Sequence, residues 1–84
     1  MEQLERLNLF GTKITDAGIS SLIKLPQLQR LDLSYTRISD TGLKSLRNLK
    51  HAQWINLEST LVTSGGVRSL RRVLANCELK WDPQ

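Results

Sequence analysis

The stretch LERLNLFGTKITDAGI at residues 4–19 returns as LQRLDLSYTRISDTGL at 28–43 and, more loosely, as AQWINLESTLVTSGGV at 52–67. Self-similarity at a fixed period identifies a repeat architecture before any local propensity is weighed, and here the period is about 24 residues. The match runs on past these stretches. Leu22 and Leu25 correspond to Leu46 and Leu49, then to Leu70 and Val73, so one register holds through three copies. The first two copies share about eleven of about 24 positions, well above chance for segments of this length.

Each copy changes its apolar period halfway. In Leu7-Asn8-Leu9 and Leu31-Asp32-Leu33 apolar and polar residues alternate, the mark of a short strand with one buried face. From Ile19 and Leu43 the spacing becomes i, i+3, i+6 (Ile19, Leu22, Leu25; Leu43, Leu46, Leu49), one stripe of a helix. Thr15, Ser39 and Thr63 stand where a helix N-cap belongs. Asp16 and Asp40 follow, where a negative charge meets the positive end of the helix dipole. A strand and a helix this short cannot bury their apolar faces alone. The copies must stack, strand beside parallel strand and helix beside helix.

The pattern L-x-x-L-x-L-x-x-T-x-I-T-D-x-G-L-x-x-L-x-x-L resembles the leucine-rich repeat family, in the bacterial-type variety with Thr where the commoner pattern has Asn or Cys. The resemblance covers nearly the whole chain from Leu4 onward. It implies an α/β fold, a leucine-rich repeat solenoid built as a right-handed β-α superhelix, with about three repeats plus a C-terminal capping strand. Thr12, Thr36 and Thr60 are expected to form a ladder of buried hydroxyls that satisfy backbone groups at the turn. The stripe Val67, Leu70, Val73, Leu74, Cys77 leads to Leu79 and Trp81, which fall in register with Leu7 and Leu9. The run from Val73 to Trp81 is similar to the closing segment of bacterial leucine-rich repeat proteins and reads as a C-terminal cap. One domain over 1–84 follows, with repeats at about 4–27, 28–51 and 52–75 and the cap at 76–84. Nothing comparable precedes Leu4, so the flank and strand edge of Leu4, Leu7 and Leu9 are expected to stand open, a possible route to self-association.

Composition narrows function further. At 84 residues the chain has room for one small domain, and 39% hydrophobic with 24% charged residues is too apolar and too mixed in sign for intrinsic disorder. One Cys and one His cannot supply an internal disulfide, the usual four ligands of a zinc site, or a supported Cys-His pair. No apolar run reaches the roughly 18 to 20 residues of a membrane span, and the start Met-Glu-Gln-Leu-Glu has no signal-peptide pattern. Gly65-Gly66 lacks the following Lys-Ser/Thr of a phosphate loop. Asp16 and Asp40, formally a carboxylate pair, are accounted for by helix-start electrostatics. His51 and Cys77 read as incidental or structural. No cofactor, metal or catalytic residue is called.

Leucine-rich repeats usually present ligands to the concave strand face. The alternation puts Arg6, Arg30 and Trp54 in one column there, then Asn8, Asp32 and Asn56, then Phe10, Ser34 and Glu58, with Gly11, Tyr35 and Ser59 at the strand edge. Tyr, Trp, Phe and Arg are the types enriched at interface hot spots. The candidate protein-binding residues are therefore Arg6, Asn8, Phe10, Arg30, Asp32, Tyr35, Trp54, Asn56 and Glu58, with Arg30 close enough to Trp54 for the guanidinium to lie over the indole. Lys24, Lys44, Arg47, Lys50, Arg68, Arg71 and Arg72 fall on or after helices and read as a solvated back face; without interleaved aromatics this argues against nucleic acid as partner. The reading is a non-enzymatic module that binds another protein. Its alternative is a structural segment capping a longer leucine-rich repeat protein. An enzyme ranks last because no nucleophile-base pair can be named.

Overall fold

The computed structural model describes residues 5–21 and 27–82. Four short strands, β1 (Arg6–Asn8), β2 (Arg30–Asp32), β3 (Trp54–Asn56) and β4 (Glu78–Lys80), alternate with α1 (Asp16–Ile19), α2 (Asp40–Leu46) and α3 (Ser64–Val73). The strands form one parallel sheet in the order β1-β2-β3-β4. Leu7, Leu31, Ile55 and Leu79 make one rung, and Arg6, Arg30, Trp54 and Glu78 the rung before it. This is the expected α/β solenoid. Its backbone ladder outruns the strands, since Leu9, Leu33 and Leu57 donate to the carbonyls of Asp32, Asn56 and Lys80 at 2.8 to 2.9 Å.

The core lies between sheet and helices. Leu31, Leu33, Ile55 and Leu57 meet Ile38, Leu43, Leu46, Leu49, Val67 and Leu70 there, all buried. Leu7, Leu9 and Ile14 pack on the same core but are only partly buried, whereas their counterparts Leu31, Leu33 and Ile38 are fully so. Leu4, Leu22 and Leu25, assigned to the core from sequence, lie outside the described residues, as does Lys24. Val73 departs from its assignment. It is 50% exposed at the end of α3, and Leu74 takes the buried place because the helix ends there and turns toward β4. Cys77 and Trp81 pack partly buried against the core.

The threonine column behaves as expected at two of its three positions. The hydroxyls of Thr36 and Thr60 donate to the carbonyls of Leu33 and Leu57 at 2.6 and 2.7 Å, closing the turn after each strand. Thr12 is exposed, so only its amide closes the turn, on Leu9 O at 3.1 Å.

The helix starts need a larger correction. Thr15, Ser39 and Thr63 occupy the N-cap positions, but only the Thr63 hydroxyl accepts from its own helix, from the Gly66 amide at 3.4 Å. The Ser39 hydroxyl instead donates to Asp16, whose other carboxylate oxygen takes the Ser39 amide at 2.8 Å. One repeat on, Asp40 accepts from the Thr63 amide at 2.9 Å and the Thr63 hydroxyl at 2.6 Å. Asp16 and Asp40 thus do more than offset a dipole. Each clasps the next helix start to its own, through bonds of the charge-assisted kind. Glycine makes the close approach possible. A Cβ at Gly42 would run into Asp16 Oδ1, and one at Gly66 into Asp40 Oδ1 and, at 3.1 Å, Leu43 Cδ1.

Candidate functional site

The sheet turns one face to the core and the other outward, and the first two expected columns sit on the outward face, whereas the third does so only in part. Arg6 and Arg30 are exposed and Trp54 is partly buried, in register on three neighbouring strands. The Arg30 guanidinium carbon lies 5.1 Å from the Trp54 ring centroid, within the range of a cation-π contact. At the strand ends Phe10 and Tyr35 are 57% and 60% exposed, and their rings meet at 5.1 Å between centroids with a tilt of 56°. Such tilted pairs are favoured by the ring quadrupoles. Two aromatic contacts therefore hold four exposed or half-exposed side chains in place without burying them.

The Asn8, Asp32, Asn56 column has a different task. Each side chain turns onto its own chain, Oδ1 accepting from the amides of Phe10, Ser34 and Glu58 at 2.9, 3.0 and 3.0 Å. Asp32 also takes the Ser34 hydroxyl at 2.6 Å. These are Asx turns, in which a short polar side chain stands in for a backbone acceptor. They steer the chain out of each strand and so aim Phe10, Tyr35 and Glu58. Ser34, in the third column by alternation, is buried and not part of an outward surface. Glu58 is partly buried beside it.

The next position in every turn has positive φ: Gly11 at 70°, Tyr35 at 58° and Ser59 at 56°. For Gly11 that conformation is free, but a residue with a Cβ meets the following carbonyl there, at a cost of about 1–2 kcal/mol. Tyr35 carries that cost and stays exposed. The sequence placed these three at the strand edge but gave no sign of the backbone, since only one is glycine.

Other hollows lie away from this face. One of about 380 Å³ is lined by Ser59 to Ser64 and Trp81, with Leu61 64% exposed at its edge. Another of about 300 Å³ lies between the ends of α2 and α3. Burial, aided by the neighbouring Glu78 charge, pushes the Cys77 thiol up to about 11. Among the described residues no group of three or more His, Cys, Asp or Glu side chains could hold a metal ion, and no helix is long and apolar enough to cross a membrane.

The family profile described as leucine rich repeats, two copies, matches residues 2–47, just over half of the chain. The chain belongs to the leucine-rich repeat family, whose domains generally mediate protein–protein interaction and are typically non-enzymatic. Among solved structures it is similar to a chain in the structure of the Mex67:Mtr2 subunits of Chaetomium, with TM-score 0.68 and 18% identity over 98% of this chain and 54% of that one. It is also similar to a leucine-rich repeat protein of Leptospira interrogans, with TM-score 0.57 and 22% identity over 92% of this chain and 25% of that one. At these identities the likeness is one of fold. The chain spans about half and a quarter of the lengths of those two. No curated protein matches it at a significant level.

Proposed function

We propose that this chain is a non-enzymatic module that binds another protein through the outward strand face, using Arg6, Asn8, Phe10, Arg30, Asp32, Tyr35, Trp54, Asn56 and Glu58. The observation that carries the reading is the pair of preformed contacts, Arg30 over Trp54 and Phe10 against Tyr35, each at 5.1 Å. Side chains already held in one arrangement lose less freedom on binding, and aromatic and Arg anchors carry much of the energy of typical interfaces. Asn8, Asp32 and Asn56 contribute by fixing the turns rather than as the main contacts. We assign the whole chain to one domain, with repeats at about 4–27, 28–51 and 52–75 and a cap at 76–84.

Affinity capture with the wild type and with a Trp54→Ala, Tyr35→Ala double variant tests the reading. A partner retained by the wild type and lost by a variant of unchanged circular dichroism supports it. Equal capture by both refutes the face assignment.

The partial burial of Leu7, Leu9 and Ile14 favours a second reading for the outer side of β1, in which further repeats or a second copy cover it. Light scattering at rising concentration tests the second copy. A mass that stays at one chain rules it out.

A further inference from the structure

The helix side of the molecule carries a feature that a solvated back face does not explain. Between Thr41 and Cys77 there are six Lys and Arg residues (Lys44, Arg47, Lys50, Arg68, Arg71, Arg72) and one acid, Glu58, which sits on the strand side. All six cations are exposed. The helix dipoles account for Lys44, Arg71 and Arg72 in the last turns of α2 and α3 and for Arg47 at the α2 C-cap. They do not account for Arg68, a turn earlier, or for Lys50, beyond the helix. The carboxylates of the helix layer, Asp16 and Asp40, are committed to Ser39 and Thr63 at the opposite helix ends, and the acid that does stand beside this region is the exposed Glu78 at the start of β4, whose charge reaches Cys77.

Among these cations lies the hollow of about 300 Å³. Arg47 and Lys50 line it together with Ala52, Val73, Leu74 and Cys77. Its lining is thus cationic on the α2 side and mostly apolar on the α3 side, where Asn76 and the Cys77 thiol are the polar members and Val73 is left half exposed and out of the core. A hollow of this size is at the low end of ligand sites, enough for an aliphatic side chain rather than a folded surface.

We propose that this hollow docks an acidic segment of a partner protein that carries aliphatic side chains, the carboxylates meeting Arg47 and Lys50 and an aliphatic group lying on Val73. The apolar lining sets this apart from a site for nucleic acid, which would want stacking aromatics where the hollow has none. It also differs from a membrane surface, for which α3 would need a broad apolar face rather than one half-exposed valine. The site is on the helix side and independent of the strand face.

The probe is a fluorescein-labelled peptide of repeated Glu-Glu-Leu triplets, titrated with the 84-residue chain and read by fluorescence anisotropy. A peptide with every Leu replaced by Ser, an oligo-uridine of matched charge and phosphatidylserine vesicles are run beside it. The Leu peptide is expected to bind, to weaken with added salt, and to lose about tenfold or more on Arg47→Glu with Lys50→Glu, because reversing charges beside the bound carboxylates replaces attraction by repulsion. Val73→Ser, at a position already half exposed, is expected to lower the affinity severalfold with the melting temperature unchanged. Lys13→Glu with Arg37→Glu makes the same change of net charge at exposed positions of the first two repeats and is expected to have a much smaller effect. Arg30→Ala with Trp54→Ala is expected to have none. Equal binding of the Ser peptide, an equal loss in the Lys13, Arg37 control, tighter binding of the oligonucleotide or the vesicles, or no binding of the Leu peptide would each overturn the proposal.

Discussion

Gly65 and Gly66 are neighbours in the first turn of α3, and the clasp sets opposite outcomes for replacing them by alanine. A Cβ at Gly65 meets nothing nearer than Thr63 Oγ1 at 3.8 Å, an ordinary contact. Gly65→Ala is therefore expected to stabilise the protein by about 0.4–1 kcal/mol, mainly by restricting the unfolded chain. Gly66→Ala gains the same term but drives its methyl into the Asp40 carboxylate. To make room Asp40 must give up its bonds to the Thr63 amide and hydroxyl. Hydrogen bonds to charged groups contribute about 1.5–3 kcal/mol each when sheltered. Asp40 is only partly buried and water can replace part of the loss, so about 2 kcal/mol for the pair is a reasonable scale. The net expectation is a destabilisation of about 1–1.5 kcal/mol, roughly 4–12 °C in Tm for a domain of this size.

Urea titration followed by circular dichroism reads both variants, with an unchanged slope showing that the change is one of stability. The decisive measurement is the cycle with Asp40→Ala. That substitution alone is expected to cost about 2 kcal/mol by losing the same bonds. In its background Gly66→Ala no longer meets a carboxylate, and its effect should fall to about zero or turn favourable, apart from the tight contact to Leu43 Cδ1. A Gly66→Ala variant as stable as Gly65→Ala, or one equally harmful with and without Asp40, would refute the clasp.

Leu33, fully buried in the central repeat, should cost about 2–5 kcal/mol as Leu33→Ala, whereas Leu61→Ala, 64% exposed, should stay within about 0.5 kcal/mol; denaturation midpoints in the reverse order would refute the register. Arg30→Ala in a Trp81→Phe background should shift the Trp54 emission, because the guanidinium over the indole is removed, and an unchanged spectrum would dissolve the pair. The Cys77 thiol is raised to about 11 in the fold from an ordinary value of 9.0. Its contribution is thus whole below pH 9 and is lost as pH rises from about 9 to about 11. Cys77→Ala should reduce the alkaline loss of stability over that window, and an identical pH profile would show that the thiol has no part in it.

The repeat made the fold legible because every rung of the ladder is printed three times. Leu7, Leu31 and Ile55 keep one spacing, and a one-residue slip would have turned each of them outward. The same redundancy placed Arg30 beside Trp54. What could not be read was the direction taken by short polar side chains. Asp40 after Ser39 satisfies a helix-dipole rule and an inter-repeat clasp equally well, and only distance shows that its partner is Thr63, 23 residues on. A partial signal was the glycine that recurs two residues after each helix-start position, since Asp16 faces Gly42 and Asp40 faces Gly66, each carboxylate against the glycine one repeat later. Val73 was misplaced for a related reason, since a period of 24 cannot show that α3 is longer than α2 and ends by turning into β4.

Tyr35 ties these levels together. The Asx turn of Asp32 onto the Ser34 amide bends the chain out of β2, and the Thr36 hydroxyl closes that bend on Leu33 O. Between these two anchors the backbone at Tyr35 is forced to φ 58° whatever residue stands there. Glycine, as at the equivalent Gly11, would meet this geometry at no steric cost. A tyrosine there costs about 1–2 kcal/mol and leaves most of its ring in water, so the fold gains little from it beyond the contact with Phe10. Strain that stability does not require is a feature of binding positions. Tyr35→Gly separates the two roles. It should leave stability equal or higher while removing the ring from the strand face, and capture of the partner should fall as it does for the Trp54→Ala, Tyr35→Ala variant. A clear loss of stability on Tyr35→Gly would mean that the ring serves the fold through Phe10, and the case for the strand face would then rest on Arg30 and Trp54 alone.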